Sequence, residues 1–98
     1  MEREHVIATL RGHESELRAA GITRLSLFGS TARGDCRPDS DIDLLAAFDE
    51  TRRISLLTVV GIERQISRML GRPVELVEEG TLKPRVRTNV EAEVVRAF

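Results

Sequence analysis

The sequence predicts an α/β fold of the α+β type: a small mixed β-sheet with helices packed on it. Two observations carry this. Apolar residues recur every three or four positions in some stretches and alternate or run together in others, so helix-like and strand-like pieces follow one another. Gly and Pro stand at the joints between them, at Gly21, Gly29, Gly34, Pro38, Gly71 and Pro73. Helices interleaved with strands bury their apolar faces by layering over a sheet. The chain of 98 residues is read as one domain, 1–98, with no repeat and no linker.

The first element is a helix over 2–20, in which Val6, Ile7, Leu10, Leu17 and Ala20 keep helical spacing and Gly21 takes the left-handed cap. Ile22 to Phe28 reads as a strand closed by Gly29, and Ser30 to Gly34 is long enough only for a helical turn. Arg37 to Ser40 is a loop broken by Pro38, and Asp41 to Phe48 is a second strand. The stretch 55–70 is an apolar helix carrying Leu56, Leu57, Val60, Ile66, Met69 and Leu70, capped by Ser55 and ended by Gly71 and Pro73. Pro73 to Val77 forms a short third strand. Thr81 to Phe98 reads as a last helix, with Pro84 in its first turn and Leu82, Val86, Val90 and Val94 recurring every four residues.

Composition narrows the function. Fifteen Lys and Arg nearly cancel sixteen Asp and Glu, and the chain has three Phe but no Trp or Tyr. Neither a basic stripe nor an aromatic stacking platform is available, so no nucleic-acid partner is expected. The single cysteine, Cys36, excludes an internal disulfide and a multi-cysteine zinc site. No apolar run approaches the roughly 20 residues of a membrane span, and the charged start MEREHVIATL is not a secretory signal. A cytoplasmic protein without a membrane partner is the expectation. His5 and His13 have no partner at ligand spacing and read as surface residues. Lys83, Arg85 and Arg87 open the last helix, as a solvated basic turn or as a contact to nucleotide phosphate or an acidic partner.

Most of the chemistry lies between Gly29 and Leu44. Asp41 and Asp43 stand two apart at the start of a strand, so both point to one face while Ile42 and Leu44 point to the other. At an effective dielectric near 20, unit charges about 4 Å apart repel by roughly 4 kcal/mol. A hard divalent cation bound through oxygen would compensate; a protonated carboxyl is the alternative. In the third strand Val74 and Leu76 alternate as core residues, which turns Glu75 to the opposite side. If that strand lies beside the second, Glu75 joins Asp41 and Asp43, and three acids suit one or two Mg²⁺ ions, with Mn²⁺ as a substitute, that themselves hold a nucleoside triphosphate. Gly29 and Ser30, closing a strand and opening a helical turn, offer free N–H groups and a hydroxyl to an anion, and Arg33 can add a charged contact.

Gly29-Ser30, ten intervening residues and Asp41-Ile42-Asp43 resemble the motif of the DNA polymerase β-like nucleotidyltransferase superfamily. Arg33, Gly34, Arg37, Ser40 and Leu44 match the fuller form of that motif, and the short chain is similar to its minimal nucleotidyltransferase (MNT) branch. Val74-Glu75-Leu76-Val77 falls where the family has its third acid, and Leu82-Lys83-Pro84-Arg85 resembles its C-terminal helix. The resemblance covers nearly the whole chain and implies a polymerase β-like fold. It also implies transfer of a nucleoside monophosphate from a nucleoside triphosphate to an acceptor hydroxyl, and the expected reaction is Mg²⁺-dependent transfer of AMP from ATP. Asp41, Asp43 and Glu75 would be catalytic and would ligate the metal, and Gly29, Ser30, Arg33 and Ser40 would hold the nucleotide. The family's third acid is commonly Asp. The extra methylene of Glu75 moves the carboxylate by about 1.5 Å, and a misplacement of about 1 Å can cost roughly a hundredfold in rate.

The resemblance further implies a protein partner, a HEPN-domain toxin that the MNT protein neutralises as its antitoxin, within a hetero-oligomer. A chain this short leaves little to hold an acceptor, so the acceptor hydroxyl is expected on that partner. Two other readings stand beside this one. The protein could be a catalytically weak nucleotide-binding module that neutralises its partner by covering it, or a small-molecule adenylyltransferase with a separate acceptor subunit.

Overall fold

A computed structural model describes residues 3–34, 41–81 and 94–98. The elements run α1 (Arg3–Gly12), α2 (Glu14–Ala19), β1 (Ile22–Leu27), α3 (Gly29–Arg33), β2 (Ile42–Phe48), α4 (Leu56–Leu70), β3 (Val74–Glu78), a 3₁₀ turn (Glu79–Thr81) and β4 (Val95–Arg96). Among the described residues four strands form one mixed sheet in the order β3-β2-β1-β4. β1 is antiparallel to both β2 and β4, and β2 is parallel to β3. This is the α/β architecture expected from the sequence.

Alternation along β2 sorts the two faces of the sheet. Ile42, Leu44 and Ala46 are buried with Leu25 and Leu27 of β1, Leu76 of β3, Val6 and Leu10 of α1, Leu17 of α2, and Ile62, Ile66 and Leu70 of α4 in one aliphatic core. Removing each Leu or Ile side chain from water contributes about 1.5–3 kcal/mol. The opposite face carries Asp43, Leu45 and Ala47, with Leu45 also buried. The β2–β3 crossover is made by α4. Ser55 caps its start by accepting from Thr58 N at 3.2 Å, and Gly71 ends it in the left-handed conformation at φ 69°. Leu76 N, in the β3 strand at the edge of the sheet, donates to a Glu63 carboxylate oxygen of α4 at 3.0 Å, which ties that strand to its crossover helix.

Two expectations need correction, and a third element shows how far its apolar face is covered. The single helix over 2–20 is two helices, α1 and α2, meeting at His13, whose backbone (φ −111°, ψ 15°) leaves the helical region after Gly12. Glycine is the weakest helix former after proline, and Leu10 of α1 and Leu17 of α2 are both fully buried on either side of the break. The last helix does not run from Thr81 to Phe98. Thr81 ends the 3₁₀ turn and Val95–Arg96 is a strand on β1, because Leu25 exchanges hydrogen bonds with Ala97 and Phe98. The four-residue spacing of Val90 and Val94 could not distinguish these outcomes, and 82–93, with Lys83, Arg85 and Arg87, lies outside the described residues. In α4 the buried stripe is Ile62, Ile66 and Leu70, while Leu56 and Leu57 are 78% and 84% exposed.

Candidate active site

The site forms where β1 gives way to α3, beside the first residues of β2 and β3. Gly29 turns the chain at φ 62°, a conformation that suits glycine. A Cβ at this position would lie 2.9 Å from Asp43 Oδ2, so the absence of a side chain is what lets the Asp43 carboxylate rest against the turn. Phe28 N donates to Asp43 O at 3.2 Å, and Asp43 N donates to Thr31 Oγ1 at 3.1 Å. Arg3 Nη1 donates to Ala32 O at 2.8 Å and ties α3 to α1.

Asp43 is the register partner of Glu75 across the parallel β2–β3 pair. Same-register residues on neighbouring strands project to one face. The two carboxyl groups lie within hydrogen-bonding reach, and Glu75 is exposed while Asp43 is half-buried. Burial holds the Asp43 carboxyl above the usual carboxylate range, and the negative charge of Asp41 pushes it further. The Glu75 hydrogen bond and the Arg33 guanidinium act in the other direction. The exposed carboxylates of Asp41 and Glu75 thus act on a partly desolvated Asp43 carboxyl. That is the donor chemistry a hard divalent cation takes, through oxygen alone, and the residues fit Mg²⁺ in this sense. Among the described residues no group of three or more His, Cys, Asp or Glu already converges on a metal position. Asp43 and Glu75 are brought together, and Asp41 stands just before the strand.

Gly29, Ser30 and Arg33 all lie on α3, with Arg33 at its exposed end. Ser40, with Cys36 and Arg37, falls outside the described residues.

Sequence reasoning passed over two features of this face. Thr31 is buried and bonded to the backbone of Asp43, and no sequence pattern separates such a threonine from any other helical one. Arg24 of β1 sits opposite Ala47 and pairs with Glu79 beyond β3. This ion pair lies at the other end of the strands from the acids and lines a groove of about 220 Å³ with Ala47, Phe48, Glu50, Glu78 and Gly80. The small side chain of Ala47 leaves room for it, which only the strand pairing reveals. No helix among the described residues is long and apolar enough to cross a membrane.

Comparison with known proteins follows the same geometry. The family model for the nucleotidyltransferase domain matches residues 10–97. The protein adenylyltransferase MntA of Thermococcus cleftensis is 37% identical over 93 residues, spanning 94% of this chain and 92% of its own. A solved structure ascribed to a minimal nucleotidyltransferase superposes with a TM-score of 0.83 at 38% identity, covering 97% of this chain and 95% of that one. A toxin–antitoxin crystal structure with AMP-PNP shares the fold at a TM-score of 0.72 and 17% identity, over 100% of this chain and 73% of that one.

Proposed function

The chain belongs to the nucleotidyltransferase domain family, in its minimal branch within the polymerase β-like superfamily, and on that premise we propose that it transfers AMP from ATP to a hydroxyl of a partner protein. The partner would be a HEPN-domain toxin, which the modification neutralises, so that this chain acts as its antitoxin in a hetero-oligomer. The observation that carries the reading is the register pairing of Asp43 with Glu75 beside the Gly29 turn. The adenylyltransferase relative from Thermococcus cleftensis supports a protein acceptor and adenylate as the transferred group.

In this mechanism the acceptor oxygen attacks the α-phosphorus of ATP, a new P–O bond forms, the bond to the β-phosphate bridge oxygen breaks, and pyrophosphate leaves. Gly29 and Ser30 hold the phosphates, with Arg33 adding charge and Ser40 completing the nucleotide contacts. Glu75 faces the acceptor side and takes its hydroxyl proton. Asp41 and Asp43, with Glu75, would hold Mg²⁺, which when bound neutralises phosphate charge and polarises the reacting phosphoryl group.

The test incubates the protein with ATP, Mg²⁺ and its co-purifying HEPN partner and then weighs the partner. A gain of whole AMP units is expected, lost with Asp43→Asn. With Glu75→Gln, transfer should fall further than nucleotide binding does. An unchanged partner mass under every metal and nucleotide condition overturns the reading. The glutamate at position 75 favours a second reading, neutralisation by binding alone. It is selected if the double variant Asp41→Asn/Asp43→Asn neutralises the partner as well as wild type does.

A further inference from the structure

Where β1 turns into α3, the hydrogen-bond ladder to β2 loses an acceptor. Phe28 and Asp43 face each other, and Phe28 N donates to Asp43 O at 3.2 Å. In an antiparallel ladder such a pair exchanges two bonds, so Asp43 N would ordinarily donate to Phe28 O. That carbonyl is instead turned into α3, where it accepts from Ala32 N at 3.4 Å. Asp43 N–H donates to the hydroxyl of Thr31, twelve residues back in sequence, at 3.1 Å. Thr31 is 3% exposed, so no water competes freely for the bond. The stretch from Phe28 to Thr31 therefore grips Asp43 at its carbonyl, at its amide and, through the bare Gly29 backbone, beside its carboxylate.

We infer that Thr31 is a positioning residue: its hydroxyl replaces the missing ladder acceptor and fixes the spacing between the Gly29–Arg33 turn and the Asp43 carboxylate. The inference rests on the nucleotidyltransferase reading, in which the turn holds phosphate and the acid holds metal. It deepens that reading by naming what keeps the two in step. Thr31→Val keeps the shape of the side chain and removes the acceptor, whereas Thr31→Ser keeps the acceptor and removes a methyl group.

Calorimetric titration with AMP-PNP, run once in Mg²⁺ and once in EDTA, separates positioning from packing. Loss of an outer partner of a metal ligand typically weakens binding about tenfold to a hundredfold. Thr31→Val is expected to lose that much affinity in Mg²⁺ and less than about twofold in EDTA, with Thr31→Ser close to wild type in both. Equal losses in Mg²⁺ and EDTA, no loss in Mg²⁺, or a Thr31→Ser variant as weak as Thr31→Val would each overturn the inference. Amide hydrogen exchange on the wild-type protein decides the matter even if Thr31→Val does not fold: the Asp43 amide should exchange as slowly as its neighbours in the β1–β2 ladder, and free exchange refutes the bond. If wild type binds AMP-PNP with Mg²⁺ yet modifies no partner, the proposed function fails while the binding split still decides the role of Thr31. If wild type shows no Mg²⁺-dependent binding, both fall.

Discussion

The two ends of β2 each carry an aspartate, and the protein treats them in opposite ways. Asp43 lies near the start, half-buried and close to Asp41, with its carboxyl held above the usual range chiefly by desolvation. Asp49 follows the end of the strand, where the Thr51 hydroxyl and amide donate to Oδ1 at 2.6 and 2.9 Å and hold its carboxyl below the usual range. Around Asp49 the backbone is closed as well: Asp49 N donates to Gly21 O at 2.8 Å and Arg52 N to Asp49 O at 3.1 Å. One end is a finished turn. The other brings carboxylates together around a partly desolvated one, and a divalent cation bound there would offset that charge and join it to the anionic triphosphate. A carboxylate whose ionised form is disfavoured by the fold is a better marker of chemistry than one that the fold welcomes.

The largest effect should come from erasing the acid end. Asp43→Asn is expected to reduce AMP transfer by more than about a hundredfold, the upper end of what even an outer partner of a metal costs. The same variant should melt at a higher temperature than wild type at neutral pH in metal-free buffer. The sign follows from linkage: with its folded pKa raised, Asp43 binds more protons folded than unfolded between the ordinary and the raised value, so its contribution falls as pH rises through that window. The gain should therefore vanish in acid, where Asp43 is neutral in both states. A variant that melts lower at neutral pH would remove the contrast with Asp49.

Gly29→Ala should come next. Its Cβ would sit 2.9 Å from Asp43 Oδ2 at a φ of 62°, a conformation costing other residues roughly 1–2 kcal/mol. Urea unfolding should show that loss, and transfer should fall with it. An alanine variant as stable and active as wild type would show that the acid does not rest on the turn. The smallest effect belongs to Asp49→Ala. Its melting temperature should drop by a few degrees at neutral pH. The depressed carboxyl stabilises the fold above its unfolded pKa and is lost as pH falls through its folded pKa, so the difference should shrink in acid. Transfer should be unchanged.

What could be read in advance was local. The α4 helix announced itself through Ser55 and Gly71, because a cap is a contact between residues a few positions apart. The phase of β2 followed from its own alternation, which placed Ile42 and Leu44 inward and Asp43 on the other face. The C-terminal stretch was misread because Val95 and Arg96 take their conformation from Leu27 and Ser26, far away in sequence. Helical periodicity gives α4 an apolar face and cannot say how much of it the sheet covers, and Leu56 and Leu57 remain exposed. Phe98, apolar at the end of a supposed helix, lies instead under the Arg18 guanidinium, 5.0 Å from the ring centre.

The sequence by itself determined which side chains share a face, since a strand has a period of two and Asp43 and Glu75 each alternate with buried neighbours. Tertiary structure decided which strands lie side by side, and so that Glu75 stands opposite Asp43 and Arg24 reaches Glu79. It also decided that Thr31 meets the Asp43 amide. Pairing between strands is settled by the crossover and by hydrogen bonds between distant residues, and neither leaves a mark on local spacing.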